Sequence, residues 1–398
     1  MRSTLERFPL AIMVSVVGTV AACLLIMNNI LPSTASVCLR LLPTCYLGML
    51  LFVALPLFAQ RYGLLLRQNM LLQAAGIGLL IIYFFTLTSW STIPGSFTRF
   101  VLYAVGLLLL TAFAPFIKYG TVNGFWQFNK TLFLRILTTM LYATVLCVGV
   151  SLALVAINSL FSAHIDSRVH SIFWIIVAGI FCPIFFLQGL PTNFEKLDDL
   201  NVYPQGLKIF TQYILLPLVV LYLAILYAYE VKILLTLHWP VGWVAYLILV
   251  FSIGGILALL LIWPIRNQTG SSWVKTFSRF FYFALLPLIG LLFAAVCKRI
   301  AQYGITENRY FVLLLAVWLA GIAIYFLISS TKNIKWIPVS LCAMVFLSSF
   351  GPWGAFSVSK WSQLKRLDAI LESYKYDSAE PTQLSTVMSQ QDQFQVMA

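Results

Sequence analysis

Carboxylates are among the scarcest groups in this sequence. Its 398 residues include 12 Asp and Glu and 3 His, and only 9% are charged at all. Soluble domains carry about 25% charge, so a water-facing surface cannot be assembled from this composition. No Asp or Glu falls at the centre of an apolar run, which weakens the case for an ion-coupled pump built on a midplane carboxylate. Cysteine never occurs as C-x-x-C; Cys23, Cys38, Cys45, Cys147, Cys182, Cys297 and Cys342 lie mostly in apolar stretches and read as small packing residues. The cluster "HIDSRVH", with His164, Asp166 and His170, matches no standard ligand spacing, so no metal is expected. Missing too are G-x-S-x-G, a Walker loop, H-E-x-x-H and G-x-G-x-x-G. No catalytic residue and no cofactor is assigned, and the chain reads as a non-enzyme.

What fills the sequence instead is apolar: 61% of residues are hydrophobic, in runs near the roughly 20 residues that cross a bilayer core. Runs such as "LLPLVVLYLAILYAY" do not alternate, which excludes a β-barrel. The expected fold is an all-α polytopic transmembrane bundle of about eleven spans, at 9–31, 38–59, 70–90, 100–118, 131–160, 170–190, 209–231, 241–264, 279–298, 310–329 and 335–352. The fifth is long enough to tilt or to project beyond the bilayer. The eleventh is interrupted by "SSFGPWGAF". The first run follows Arg2 and Arg7 but continues without a cleavage site, so it reads as a retained helix.

The net charge of +13 comes from basic residues scattered at the ends of runs, which is topology signalling and not a nucleic-acid surface. Their alternation over the first eight spans puts the amino terminus in the cytoplasm, and eleven spans put the carboxy terminus outside. Residues 1–356 read as the membrane domain. Residues 357–398 comprise an amphipathic segment, "SKWSQLKRLDAILESYKY", and a polar tail able to engage a protein partner.

Two places break the charge pattern. "KRIAQYGITENRYF" (298–311) carries Lys298, Arg299 and Arg309 on a side where few basic residues belong, as does the segment with Lys360, Lys365 and Arg366. The first trio is a candidate site for an anionic lipid or a small anionic solute. Tyr303 suits the interface, Gly304 a turn, Thr306 an N-cap and Glu307 a first helical turn. Arg309 suits none of these, because it sits near a positive helix end unless it pairs with Glu307, Glu230 or a headgroup. Glu230, with Tyr227 close by in "LYAYEVK", is the candidate coupling carboxylate. "LKIFTQYILLPL" and "VKTFSRFFYFALLPL" share a Leu-Leu-Pro-Leu core. In a parallel repeat, Pro217 and Pro287 would kink two spans at a matched depth. The loop "NFEKLDDLNVYPQG" groups Glu195, Asp198 and Asp199, which a membrane transferase would use to hold a divalent ion.

"YPQGLKIFTQYILLPLVVLYLAILYAYEVKI", "WPVGW", "YGITENRYF" and "FGPWGAFSVSKWSQLKRL" together resemble the bacterial "domain of unknown function" family 4153, over residues 193 to 371. The resemblance implies a multi-pass protein of the bacterial inner membrane and a polar carboxy-terminal portion longer than this chain carries. It supplies no catalytic residues. Three functions follow as expectations: transport or handling of a lipid or anionic solute, a non-catalytic scaffold or signalling subunit, and a transferase acting on a lipid-linked substrate.

Overall fold

In the computed structural model the described residues are 2–27, 31–87, 95–118, 120–200, 203–236, 243–265, 272–329 and 332–373. They form helices α1 (Arg2–Arg7), α2 (Pro9–Met27), α3 (Pro32–Arg61), α4 (Leu66–Thr86), α5 (Ser96–Phe113), α6 (Val122–Phe161), α7 (Ser167–Ile176), α8 (Cys182–Gln188) and α9 (Phe194–Asp199). There follow α10 (Gln205–Ile209), α11 (Leu216–Thr236), α12 (Trp243–Leu261), α13 (Ser272–Tyr303), α14 (Glu307–Ile328), α15 (Trp336–Ser349) and α16 (Ala355–Ser373). The chain folds as two compact units, Met1–Tyr203 with Asn333–Phe346, and Pro204–Lys332 with Leu347–Ala398.

Ten helices among the described residues are long and apolar enough to cross a membrane, matching the first ten expected spans. The eleventh differs: α15 has 14 residues, or about 21 Å at 1.5 Å per residue, against a core of about 30 Å. The glycine-rich stretch behind it accounts for the early stop, since Gly351 takes a left-handed φ of 76° and a helix cannot continue through that conformation.

In the first unit α3 is the central helix. It packs against α2, α4 and α5, and two thirds of its apolar window (67%) is buried, against 6% for α4. Apolar side chains gain nothing by leaving lipid for protein, so this burial is held by close packing and small residues. A Cβ at Gly18 of α2 would stand 2.9 Å from the Cβ of Cys45 on α3; the two backbones approach because glycine and cysteine meet there. Leu47, Leu50 and Leu51 of α3 meet Ala104 and Leu107 of α5, and Phe346 of α15 closes the cluster. The exposed apolar residues of α4 and α6, such as Leu66, Met140 and Leu152, form surfaces suited to lipid.

α6, at 40 residues, is about 60 Å long, twice the bilayer core. Its first turns explain the excess: Phe125, Trp126 and Phe128 are buried, and the helix start packs on α9. Phe116, Phe128 and Phe194 meet edge-on or tilted at 5.6–6.2 Å. This end of the helix projects into a small aromatic cap and only the remainder is exposed along its length.

In the second unit α13 packs on α11, α12 and α14, and α16 lies on α14. Phe281, Leu285, Leu288 and Leu292 of α13 are fully buried. Tyr282 stacks on Phe326 of α14 at 4.9 Å and 5°. Gly255 of α12 faces Phe281, where a Cβ would come within 2.2 Å of the ring.

Two spans contain π-helical segments, Val177–Phe181 and Phe210–Leu215. Each is followed closely by a proline, Pro183 and Pro217. Proline lacks the amide that would bond one turn back and crowds that turn, and a widened turn accommodates it. In the first segment the freed Gly179 carbonyl accepts a bond from the Ser15 hydroxyl.

Candidate functional site

Two polar sites stand out, one in each unit, and they differ in how their carboxylates are used.

In the first unit the acidic loop, which the transferase reading alone would use for a divalent ion, forms a clamp around Asp198. Asn193 caps α9 by accepting from the amides of Glu195 and Lys196 at 3.0 and 3.1 Å, which turns the helix so that Asp198 faces inward. Asp198 Oδ2 receives Arg61 Nη2 at 2.9 Å. Its Oδ1 accepts both the amide and the hydroxyl of Thr121 at 2.8 Å. Gly124 is required for this approach, since a Cβ there would lie 2.0 Å from Oδ1. Burial alone would raise the Asp198 carboxyl, but the two Thr121 bonds and Arg61 outweigh it and hold the group below the usual carboxylate range. Both oxygens are committed, so the structure gives this residue to architecture and not to ion binding. Glu195 and Asp199 are exposed and do not join Asp198. Among the described residues no group of three or more His, Cys, Asp or Glu converges.

Other strands of the same cap come from far apart in sequence. Arg7 donates to Gln60 and to the carbonyls of Leu190 and Pro191, and Lys335 donates to the Gly120 carbonyl at 2.7 Å. Sequence reading did not anticipate Arg61, Thr121 or Lys335 as partners.

In the second unit Glu230 and Pro287, both singled out from sequence, line one cavity of about 320 Å³ with Ile233, Gly290, Leu291 and Ala294. α11 and α13 run side by side in the same direction there: Tyr227 donates its hydroxyl to the Ala284 carbonyl at 2.7 Å, and Glu230 sits one turn further on beside Pro287. This carbonyl is one residue beyond Phe283, whose carbonyl loses its helical partner because Pro287 has no amide. The Oε2 atom of Glu230 is buried and has no hydrogen-bond partner among the described residues. Lys232, two residues on, is exposed and does not bond that oxygen.

The same register corrects the expectation of matched prolines. Pro287 is level with Glu230, which is thirteen residues, about 20 Å, past Pro217 on α11. Pro217 follows the π-helical segment at the start of α11, and Pro287 lies on the cavity wall.

The basic trio resolves differently again. Gly304 adopts φ 71° and its amide bonds to Ile300 at 2.8 Å, the left-handed stop expected for α13. Thr306 is the N-cap of α14, yet its side chain makes no capping bond. Arg309 folds back across the turn, donating to the carbonyls of Tyr303 and Gly304 at 3.2 and 2.8 Å and lying 5.4 Å from the Tyr303 ring centre. A cation at the start of α14 thereby serves the negative end of α13. Glu307 is half-buried in the first turn of α14. Lys298 is exposed and Arg299 half-buried; Arg299 and Arg366 stand close enough to Arg309 to oppose its charge. α16 is fastened to this turn: Ser362 accepts the Ile305 amide at 2.9 Å and Gln363 donates to the Ile305 carbonyl at 3.0 Å.

Comparison with known proteins agrees with this architecture. The model of the family described as "Domain of unknown function (DUF4153)" matches residues 46–381. The chain belongs to this family. An uncharacterised protein of Pasteurella multocida is 26% identical over 275 residues, which cover 66% of this chain and 45% of that relative. The match thus spans less than half the length of the relative. No solved structure matches the chain. This chain is a multi-pass membrane protein on the strength of its ten long apolar helices among the described residues, and the bilayer is the partner those helices require.

Proposed function

We propose that this protein is a transporter-like component of the bacterial cytoplasmic membrane, with Glu230 as an exchangeable site for a proton or small cation. One observation carries the reading: a carboxylate oxygen buried without a partner, on a membrane-spanning helix, at the wall of a cavity. A buried acceptor left unsatisfied costs about 1–3 kcal/mol, and an ionisable group within a span is a functional candidate by default. Occupation of the carboxylate by a proton or cation removes the deficit. The parallel pairing of α11 and α13, with Pro287 and Gly290 on the cavity side, supplies a wall in which helix backbone is free to adjust.

Arg309 supports the anionic-solute reading less than its sequence position suggested, because its bonds are taken up by the α13 carbonyls. Anionic-lipid contact at Arg299 and Arg366 stays compatible with this transport reading.

The orientation proposed is amino terminus inward. In the first unit Arg7, Arg61 and Lys335 gather at one end, as the bias of basic residues towards the cytoplasm requires. Lys335 returns there after ten spans. α15 then climbs beside α5, where Cys342 and Phe346 meet Gly106. In the second unit Trp353 accepts from Tyr310 at the start of α14 at 2.7 Å, so the chain has come back to the end from which α14 set out. The external carboxy terminus proposed here counts this 14-residue helix, shorter than the bilayer core, as the eleventh crossing.

The experiment is proton uptake into liposomes carrying the purified chain, followed with an entrapped pH-sensitive dye. Wild type should dissipate an imposed gradient, and Glu230→Gln should lose the activity. Equal rates for the two proteins at matched reconstitution would rule out Glu230 as the exchange site.

A further inference from the structure

Another cavity lies in the first unit, independent of the Glu230 reading. It measures about 680 Å³ and is walled by Arg61, Tyr62, Gly63, Gly120, Asn193 and Phe194, with Glu195 also on the lining. Arg61 is the residue to consider. Its side chain is only 9% exposed, and it lies between the rings of Phe116 and Phe194 at 5.6 and 6.0 Å. Nη2 is held by Asp198, but Nε is buried and finds no acceptor among the described residues.

An arginine placed only to neutralise Asp198 leaves that Nε–H unexplained. Guanidinium presents a planar fork suited to oxyanions, and a buried donor lacking an acceptor is a standing deficit. The charged side chains of the lining are Arg61 and Glu195, with Asp198 and Lys335 close to Arg61. Asp198 is already saturated by Arg61 and Thr121, so its charge does not face an empty partner. Lys335 stands close enough to Arg61 to act on its charge. Asn193 spends its carbonyl oxygen on capping α9, which leaves the amide nitrogen as a further donor on the lining. The glycines at 63 and 120 have φ of 57° and 88°; at Gly120 a Cβ would come 2.9 Å from Arg61 Nη2, so the absent side chain is what gives the guanidinium its room.

The geometry points to a phosphate-binding pocket, with Arg61 as the anchoring cation and the Asn193 amide as second donor. Its volume exceeds that of a bare phosphate, so the group is carried by a larger molecule, either a lipid headgroup at the membrane surface or a soluble phosphomonoester. Glu195 at the lining sets the charge of that remainder, disfavouring a second anion close by.

The test uses the full chain purified in a non-ionic detergent and three probes: inorganic phosphate, glycerol phosphate and a short-chain phosphatidylglycerol. Binding is read by thermal shift and by titration calorimetry. Two variants leave the Arg61–Asp198 pair in place. Asn193→Asp retains the α9 cap but swaps the donor for a like charge, and Thr192→Trp fills the pocket from its exposed lining. Both should melt within a few degrees of wild type without ligand and lose at least about tenfold in affinity. Binding of the lipid alone identifies a headgroup site, and binding of glycerol phosphate a soluble-ligand site. Failure of all three probes to bind wild type overturns the inference, as does unchanged affinity in both variants.

Discussion

Asp198 and Glu230 are carboxylates of the same protein with opposite situations. Asp198 is surrounded: one oxygen on Arg61, the other on two groups of Thr121, and glycine opposite to let it in. Glu230 has a buried oxygen with no hydrogen-bond partner among the described residues. The first arrangement can only be disturbed by change, whereas the second invites a guest. In a chain with 12 acidic residues, satisfaction of hydrogen bonds separates scaffold from working group better than position along a helix does.

The largest effect should come from taking the clamp apart. Asp198→Ala leaves Arg61 buried without its counter-charge, and breaking one partner of such a pair costs about 3–5 kcal/mol. The full penalty is reduced by the partial exposure of the aspartate. Unfolding of the detergent-solubilised protein in a graded denaturing detergent should register it, and a variant as stable as wild type would erase the contrast. Acid tests the same clamp without mutation. Because the folded Asp198 titrates below its unfolded value of 3.8, its contribution is present above that pH and is lost as pH falls through and below it. Thermal unfolding followed from pH 6 down to pH 3 should lose its Asp198-dependent part only at the acid end, and Asp198→Asn should flatten that portion of the curve.

A smaller loss is expected on the other unit's turn. Arg309→Ala removes two charged bonds to the α13 carbonyls, worth about 1–2 kcal/mol together at a half-buried site. Arg309→Lys should recover only part of it, because a single ammonium replaces the guanidinium fork. Tyr227→Phe removes one bond to Ala284, about 0.5–1.5 kcal/mol. Glu230→Gln closes the series with the sign near zero: stability within about 1 kcal/mol of wild type, or raised, because a buried charge is withdrawn. A strongly destabilised Glu230→Gln, seen in the same unfolding assay, would place Glu230 with Asp198 and collapse the distinction.

How much of this was legible in the sequence depends on distance along the chain. The ten long spans were readable because each is a continuous apolar run whose signal is local. Gly304 was readable for the same reason, as a glycine following an amphipathic helix end. Arg309 was noticed without its partners, since these are the carbonyls of Tyr303 and Gly304 and carry no side-chain signature. Asp198 was noticed in its loop, but its structural role was not legible there. Its partners, Arg61 and Thr121, lie 137 and 77 residues away, and neither spacing has a period to follow. Glu230 was picked out because a carboxylate near a span is rare, yet its pairing with Pro287 depends on the register of α11 against α13. The repeated Leu-Leu-Pro-Leu pattern suggested another register and misled.

The fastening of α16 to the turn at Gly304 and Ile305 has a mechanical side. Two hydrogen bonds through Ser362 and Gln363 tie that helix to the turn from which α13 runs directly back to Gly290 and Pro287. α16 is thus joined through one turn to the helix that carries Pro287 and Gly290 on the wall of the Glu230 cavity.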